Sequence, residues 1–188
     1  MKNFRILFIL ILGLSTYSCT DDDDSVTPGT KVTPNEEELI TTVQLIFSNE
    51  FNVILDSASF NDPDGDGGNA PSIDTITLQS GTDYTVDLKF LDASDANDVE
   101  DITIEIEEED DEHLICFDQS NISGLTINRS DSDGTYEIGL KSLWVVDSNA
   151  SSNSGVLKLT LKHQPGSKDG TCAPGDIDVE IDFPVIIN

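Results

Sequence analysis

The sequence predicts an all-β protein, a single antiparallel β-sandwich of about eight or nine strands, and three observations carry that expectation. Apolar and polar residues alternate in four long stretches, the pattern of strands with one face in a core and one in water. Turn signals separate the stretches: Asp-Gly pairs at Asp64-Gly65, Asp66-Gly67 and Asp133-Gly134, and Asn-Ser-Gly at Asn153 to Gly155. About 150 residues follow the N-terminal region, enough to bury one core and too few for two comfortable domains.

Residues 1–18 carry Lys2 and Arg5 at the start, an apolar stretch from Ile6 to Leu14, and small or polar residues up to Cys19. This is the order of a secretory signal peptide, whose apolar part is too short to span a bilayer as a helix. A cysteine directly after it reads as the lipidated first residue of a bacterial lipoprotein, although Tyr17 stands where such leaders usually carry a small residue. The run Thr20-Asp21-Asp22-Asp23-Asp24 resembles the surface-export signal of Bacteroidetes lipoproteins. The expected location is the outer membrane, anchored through Cys19 and exposed on the cell surface. Residues 19–35 are rich in Asp, Ser, Thr, Pro and Gly and cannot bury enough surface to offset their ordering entropy, so they read as a flexible tether.

The sandwich domain is expected over residues 36–188. Its four clear strands are Thr41-Val43-Leu45-Phe47, Tyr84-Val86-Leu88-Phe90, Leu157-Leu159-Leu161 and Ile177-Val179-Ile181-Phe183-Val185. In the last, Asp176, Asp178, Glu180 and Asp182 are expected to face water. Weaker strands are expected at Phe51 to Phe60, Ile73 to Leu78, Leu114 to Phe117, Gly124 to Asn128 and Glu137 to Val146. Trp144, the single tryptophan, is expected to pack in the core or at an edge. Asp98 to His113 is ambiguous. Ile102, Ile104 and Ile106 alternate as in an edge strand, whereas a helix puts Ile102, Ile106, Glu109 and His113 on one face and the leading acids at its N-terminus. A short acidic helix is the favoured reading.

Without residues 1–18 the chain has seven Lys and Arg against 37 Asp and Glu, a formal charge of −30. Such a field repels nucleic acid and attracts cations or basic protein surfaces; it also serves simple solubility. With Cys19 assigned to lipid, Cys116 and Cys172 remain as an even pair in an oxidising compartment, where a disulfide is the default.

Five ordered segments resemble one family of small Bacteroidetes lipoproteins. They are Asn35 to Val43, the Asp62 to Asn69 loop, Glu105 to His113, Leu161-Lys162-His163, and Asp176-Ile177-Asp178. Members often carry the label "type 1 periplasmic binding fold superfamily protein". A two-lobed α/β fold of that kind needs alternating helices and strands and a far longer chain, so the residue pattern and the label imply different folds. The resemblance implies a surface binding lipoprotein and supplies no catalytic residues.

Two sites could hold a cation. Asp62, Asp64 and Asp66 followed by Gly67 reproduce the first half of a calcium loop, with Asn69 as a further oxygen donor. Ile73 stands where an EF-hand places its bidentate glutamate, so a solvated turn is the competing reading. His163 shares the inward parity of Leu157, Leu159 and Leu161, and His113 ends the acid run. A Cys116–Cys172 bond would bring their segments together, so His113 and His163 with Glu109 or Glu112 form a candidate site for zinc, copper or iron. The competing reading has each histidine capping a strand or pairing with a local acid.

No nucleophile elbow, phosphate loop or His-Glu-x-x-His motif is present, and aromatics at 6% are too few to line a sugar cleft beside paired carboxylates. The expectation is a non-enzymatic surface lipoprotein that binds a cation or metal-bearing ligand, beside a TonB-dependent transporter. The alternative is a calcium-stabilised interaction or adhesion module whose acidic face meets a basic protein or a polysaccharide.

Overall fold

A computed structural model describes residues 39–65 and 67–188, which lie in one compact unit, Glu37–Asn188. Residues 1–38, which hold the expected signal peptide, Cys19 and the expected tether, and Asp66 lie outside the described residues. In chain order the elements are β1 (Thr42–Ser48), β2 (Ile54–Asn61), β3 (Ser72–Ile73), β4 (Ile76–Leu78), β5 (Asp83–Asp92), β6 (Glu100–Asp101), α1 (Thr103–Glu108), β7 (His113–Ser120), β8 (Leu125–Arg129), β9 (Lys141–Val146), β10 (Asn153–His163) and β11 (Asp176–Ile187). The fold is all-β, two sheets packed as a sandwich. One sheet runs β3-β2-β1-β5-β9-β8, with β6 also on β5, and the other runs β4-β11-β10-β7.

The period-two stretches build the core between these sheets. Val43, Leu45 and Phe47 of β1, Val86, Leu88 and Phe90 of β5 and Trp144 of β9 are buried, as are Leu157, Leu159 and Leu161 of β10 and Ile181, Phe183 and Val185 of β11. Fully burying one such side chain stabilises by roughly 1.5–3 kcal/mol. Trp144 is a core residue. Its ring meets Phe47 edge-on at 5.3 Å and Phe117 at 6.0 Å, and its Nε1 donates to Ser142 Oγ at 2.8 Å, which satisfies the buried indole N–H.

The strands among the described residues number eleven rather than eight or nine, and much of the excess comes from one division. The expected strand from Ile73 to Leu78 is two: β3 pairs with β2 in the larger sheet, and β4 pairs with β11 in the smaller. Between them Asp74 Oδ2 accepts from Ser59 N at 2.9 Å and from Ser59 Oγ at 2.7 Å, holding the crossing point to β2. The β4–β11 pair is parallel, the exception in an otherwise antiparallel fold. The strand expected from Glu137 starts only at Lys141. Residues 138–140 bridge the sheets instead, with Ile115 N of β7 donating to Ile138 O at 2.7 Å and Leu88 N of β5 donating to Leu140 O at 2.9 Å.

The ambiguous segment contains both alternatives in shortened form. Glu100 and Asp101 add a two-residue strand to β5, and α1 follows for six residues. Helical spacing decides which isoleucines are buried: Ile102 and Ile106 enter the core and Ile104 points to solvent. At the helix start Thr103 Oγ1 accepts from Phe90 N at 2.9 Å, which docks α1 on β5. The chain then turns through the acids and enters β7 at His113.

Candidate metal centre

Strand register brings the two histidines together. In the antiparallel ladder of β7 and β10, His113 stands directly opposite His163, so both rings leave the sheet on the same face. They stack, with centroids 4.6 Å apart and planes 13° from parallel. His113 is fully buried and His163 is 4% exposed.

Hydrogen bonding assigns the tautomers. His113 Nδ1 lies 3.0 Å from the carbonyl oxygen of Glu109, which can only accept, so Nδ1 carries a hydrogen and donates it, while Nε2 faces Asp178 Oδ2 at 4.0 Å. His163 Nε2 lies 3.3 Å from Glu112 Oε2 and donates to that carboxylate. Its Nδ1 then holds the lone pair, and that atom is buried with no hydrogen-bond partner among the described residues. Each imidazole is thus oriented through one nitrogen by a backbone carbonyl or a carboxylate, the arrangement that prepares histidines as metal ligands. Glu109 is the residue that closes α1, and one donor atom each from Glu109, His113 and His163 lie within 4.8 Å of one another. Near-parallel rings direct their lone pairs side by side. For one ion to sit at about 2.0–2.1 Å from both, one ring must turn.

A stapled loop, residues 164–175, holds the acid run against these strands. Gln164 N donates to Glu112 O at 2.6 Å, and Gln164 Nε2 donates to Thr171 O at 2.9 Å and Pro174 O at 3.0 Å. Lys168 Nζ reaches Asp110 O at 2.6 Å and Asp133 Oδ2 at 2.7 Å, with both charged side chains buried. The Lys168 ammonium, followed by the backbone N–H groups of Tyr136 and Thr135, holds the Asp133 carboxyl down to about 2. The Cys116–Cys172 disulfide is formed, with 6.1 Å between its Cα atoms. At Gly175 the chain turns with φ of +79°, and a Cβ there would lie 2.1 Å from His163 O, so only glycine fits the close approach to the strand that carries the site.

Asp178 is placed here against sequence expectation. Strict alternation puts it on the water face with Asp176, Glu180 and Asp182. The β10–β11 register instead slips, pairing Leu161 with Val179 but Lys162 with Ile177, so Asp178 is the extra residue of a β-bulge. The bulge inverts parity. Asp178 turns inward, its side chain 4% exposed and its Oδ2 4.0 Å from His113 Nε2, while Ile177 is turned out. No turn residue or spacing within the strand announces this.

The calcium candidates divide. Asp64 Oδ2 accepts from Asn69 N at 2.9 Å and Asn69 Nδ2 at 2.6 Å, which lowers the Asp64 pKa and commits that oxygen to the loop itself. Asn69 thus presents its amide N–H groups to Asp64. Asp62 Oδ1 is buried, and its backbone N donates to Thr41 O at 2.8 Å, tying the loop to the start of β1. Among the described residues, donor atoms of Glu109, His113 and His163 gather within 4.8 Å of one another, whereas Asp66 of the calcium candidate lies outside the described residues. Compared with known proteins, the chain matches no family model, no curated protein and no solved structure.

Proposed function

We propose that this chain is a lipid-anchored surface protein whose sandwich binds a transition-metal dication through His113, His163 and Glu109, with Glu112 orienting His163. One observation carries the reading: two buried imidazoles set opposite each other by strand register, with a carboxylate oxygen in the same 4.8 Å cluster. Two neutral nitrogens and one carboxylate suit zinc, copper or iron(II), and are poor ligands for calcium, which prefers six to eight oxygens. The anchor at Cys19 and the acidic surface fit a protein that collects cations at the outer membrane. A partnership with a TonB-dependent transporter rests on the lipoprotein resemblance.

The test is zinc titration by calorimetry on the soluble domain. His113→Ala and His163→Ala should each weaken binding by tenfold or more, on the order of the effect of losing one contact in a metal site. The double variant should lose little beyond either single one, because residues of one site are not independent. Affinity should fall on acidification, since protons compete for the same lone pairs. Two small, additive losses would mean separate contacts and would return the choice to the adhesion module, with the loop of Asp62 and Asp64 as a calcium-dependent brace.

A further inference from the structure

We propose that the turn and open sheet edge formed by Phe51 to Ser57 dock an extended segment of a partner protein, one that alternates apolar residues with Lys or Arg and joins β2 as an added strand. None of these residues belongs to the candidate metal centre.

The surface stands out first by its exposure. Phe51 is 75% exposed, Val53 54%, Ile54 66% and Leu55 49%, four large apolar side chains within five positions. Single apolar residues on a surface are ordinary, whereas a contiguous group marks a contact site. The turn that carries them is fixed. Asn49 Oδ1 accepts from Phe51 N and Val53 N, each at 3.0 Å, Asn49 N donates to Val53 O at 3.0 Å, and Asn52 takes the left-handed region with a φ of 58°. A backbone ordered in advance loses little freedom on binding, which suits Phe51 as an aromatic anchor.

Beside the turn lies an unpaired edge. β3 covers β2 only at Phe60 and Asn61, so among the described residues Ile54 to Ala58 have no strand on their outer side. Ser59 turns its backbone outward, where its carbonyl accepts from Asp74 N at 2.9 Å, and by alternation Ser57 turns the same way. The Ser57 N–H donates to the exposed Asp56 carboxylate at 2.8 Å, a bond that an incoming strand carbonyl can replace. Sheet edges of this kind template added strands. They are commonly guarded by charge and by bulges, and β2 has both, in Asp56 and in Leu55, the extra residue between the pairs Phe47–Asp56 and Ser48–Ile54. A guard of one sign rejects strands of that sign and admits the opposite one.

Charge therefore selects the occupant. Glu50, Asp56 and Asp74 flank the patch, and residues 39–88 contain no Lys, Arg or His. In the groove that Ile54 also lines, Lys89 and Lys141 stand with Asp87, Asp101 and Glu107, so acids outnumber bases there too. A second copy would bring its own Asp56 to the same edge, and like charges facing across strands are destabilising. An anionic lipid surface is repelled for the same reason. A basic, apolar strand gains on both counts, through contact with Phe51 and Ile54 and through opposite charge at Asp56.

The probe is a dye-labelled peptide alternating valine with lysine, followed by fluorescence anisotropy with the intact protein, beside a counterpart alternating valine with glutamate. The lysine peptide should bind and the glutamate peptide should not. Phe51→Ser combined with Ile54→Ser, and separately Asp56→Lys, should each weaken binding at least about tenfold, while Asp118→Lys, the same charge change on β7 of the other sheet, should stay within about threefold. Equal losses in Asp56→Lys and Asp118→Lys would mean diffuse attraction to the net charge and overturn the site, as would binding that ignores the loss of Phe51 and Ile54, or no binding of the lysine peptide at all. Hydrogen exchange on the unmutated protein decides independently of any variant: the peptide should protect the amides of Leu55 and Ser57, and protection confined to other strands overturns the proposal. A dimer that Ile54→Ser dissolves would assign the patch to a second copy, and attachment to neutral phosphatidylcholine vesicles that needs Phe51, without peptide binding, would assign it to a membrane; either result overturns the partner strand.

Discussion

Asp133 and Lys168 show how a single pair can decide the behaviour of the segment that covers the histidines. Both side chains are nearly inaccessible, at 4% and 3%, and the ammonium also donates to the backbone of Asp110 beside the acid run. Removing one partner from such a pair leaves the other charge uncompensated, so Asp133→Asn should destabilise the domain at neutral pH by on the order of 3 kcal/mol. The folded carboxyl value of about 2 lies below its ordinary 3.8. Its stabilisation is therefore fully present above pH 4 and is lost as the pH falls from about 4 towards 2. Urea unfolding of wild type and Asp133→Asn across that range should show the gap in stability closing; a constant gap would mean that the carboxylate contributes through shape alone. Asp178 is the contrasting case at this scale. Its burial was invisible in the strand pattern, whereas His163 could be assigned inward from its parity with Leu157, Leu159 and Leu161.

Among elements, β7, β10 and the loop after β10 form one stapled unit. The disulfide joins Cys116 of β7 to Cys172 across 56 positions, and in the chain-entropy model a loop of that size contributes about 4 kcal/mol by restricting the unfolded chain. Cys116→Ser with Cys172→Ser should lower the unfolding free energy by roughly that amount in denaturant titrations. Zinc affinity of the double variant should fall too, because Gln164 N and Lys168 Nζ hold the backbone of Glu112 and Asp110 from the same loop. Unchanged stability would show that the loop is already fixed by those hydrogen bonds. The element hardest to read in advance was the acid-rich segment. Its isoleucines alternate as a strand's would, and the outcome turned on Thr103 receiving the Phe90 N–H and on Ile102 and Ile106 finding space in the core.

The whole chain carries a strong negative charge as well as a fold. A formal charge of −28 over the full sequence keeps its surfaces repulsive towards one another and towards nucleic acid, while concentrating cations around it. Cys19, the proposed anchoring residue, lies outside the described residues, and that proposal rests on the order of residues 1–18 before it. Cys19→Ser should abolish incorporation of radiolabelled palmitate and move the protein from the membrane fraction to the soluble one. Labelling that persists in the variant would remove the lipid anchor from the account and leave ordinary secretion as the proposal for residues 1–18.

The alternation of apolar residues along β1, β5, β10 and β11 determined by itself that this chain forms strands with one buried face, because side chains of a strand point to opposite sides at every step. The even pair Cys116 and Cys172 likewise marked a disulfide, and the inward parity of His163 marked one ring of the candidate centre. Only the tertiary structure decided which strands become neighbours. It sent Ile73 and Ile76 to different sheets, set His113 opposite His163, and placed a bulge where Asp178 enters the interior. The physical reason is that periodicity reports the two faces of one strand, whereas register, bulges and crossings depend on hydrogen bonds and packing between strands that are distant along the chain.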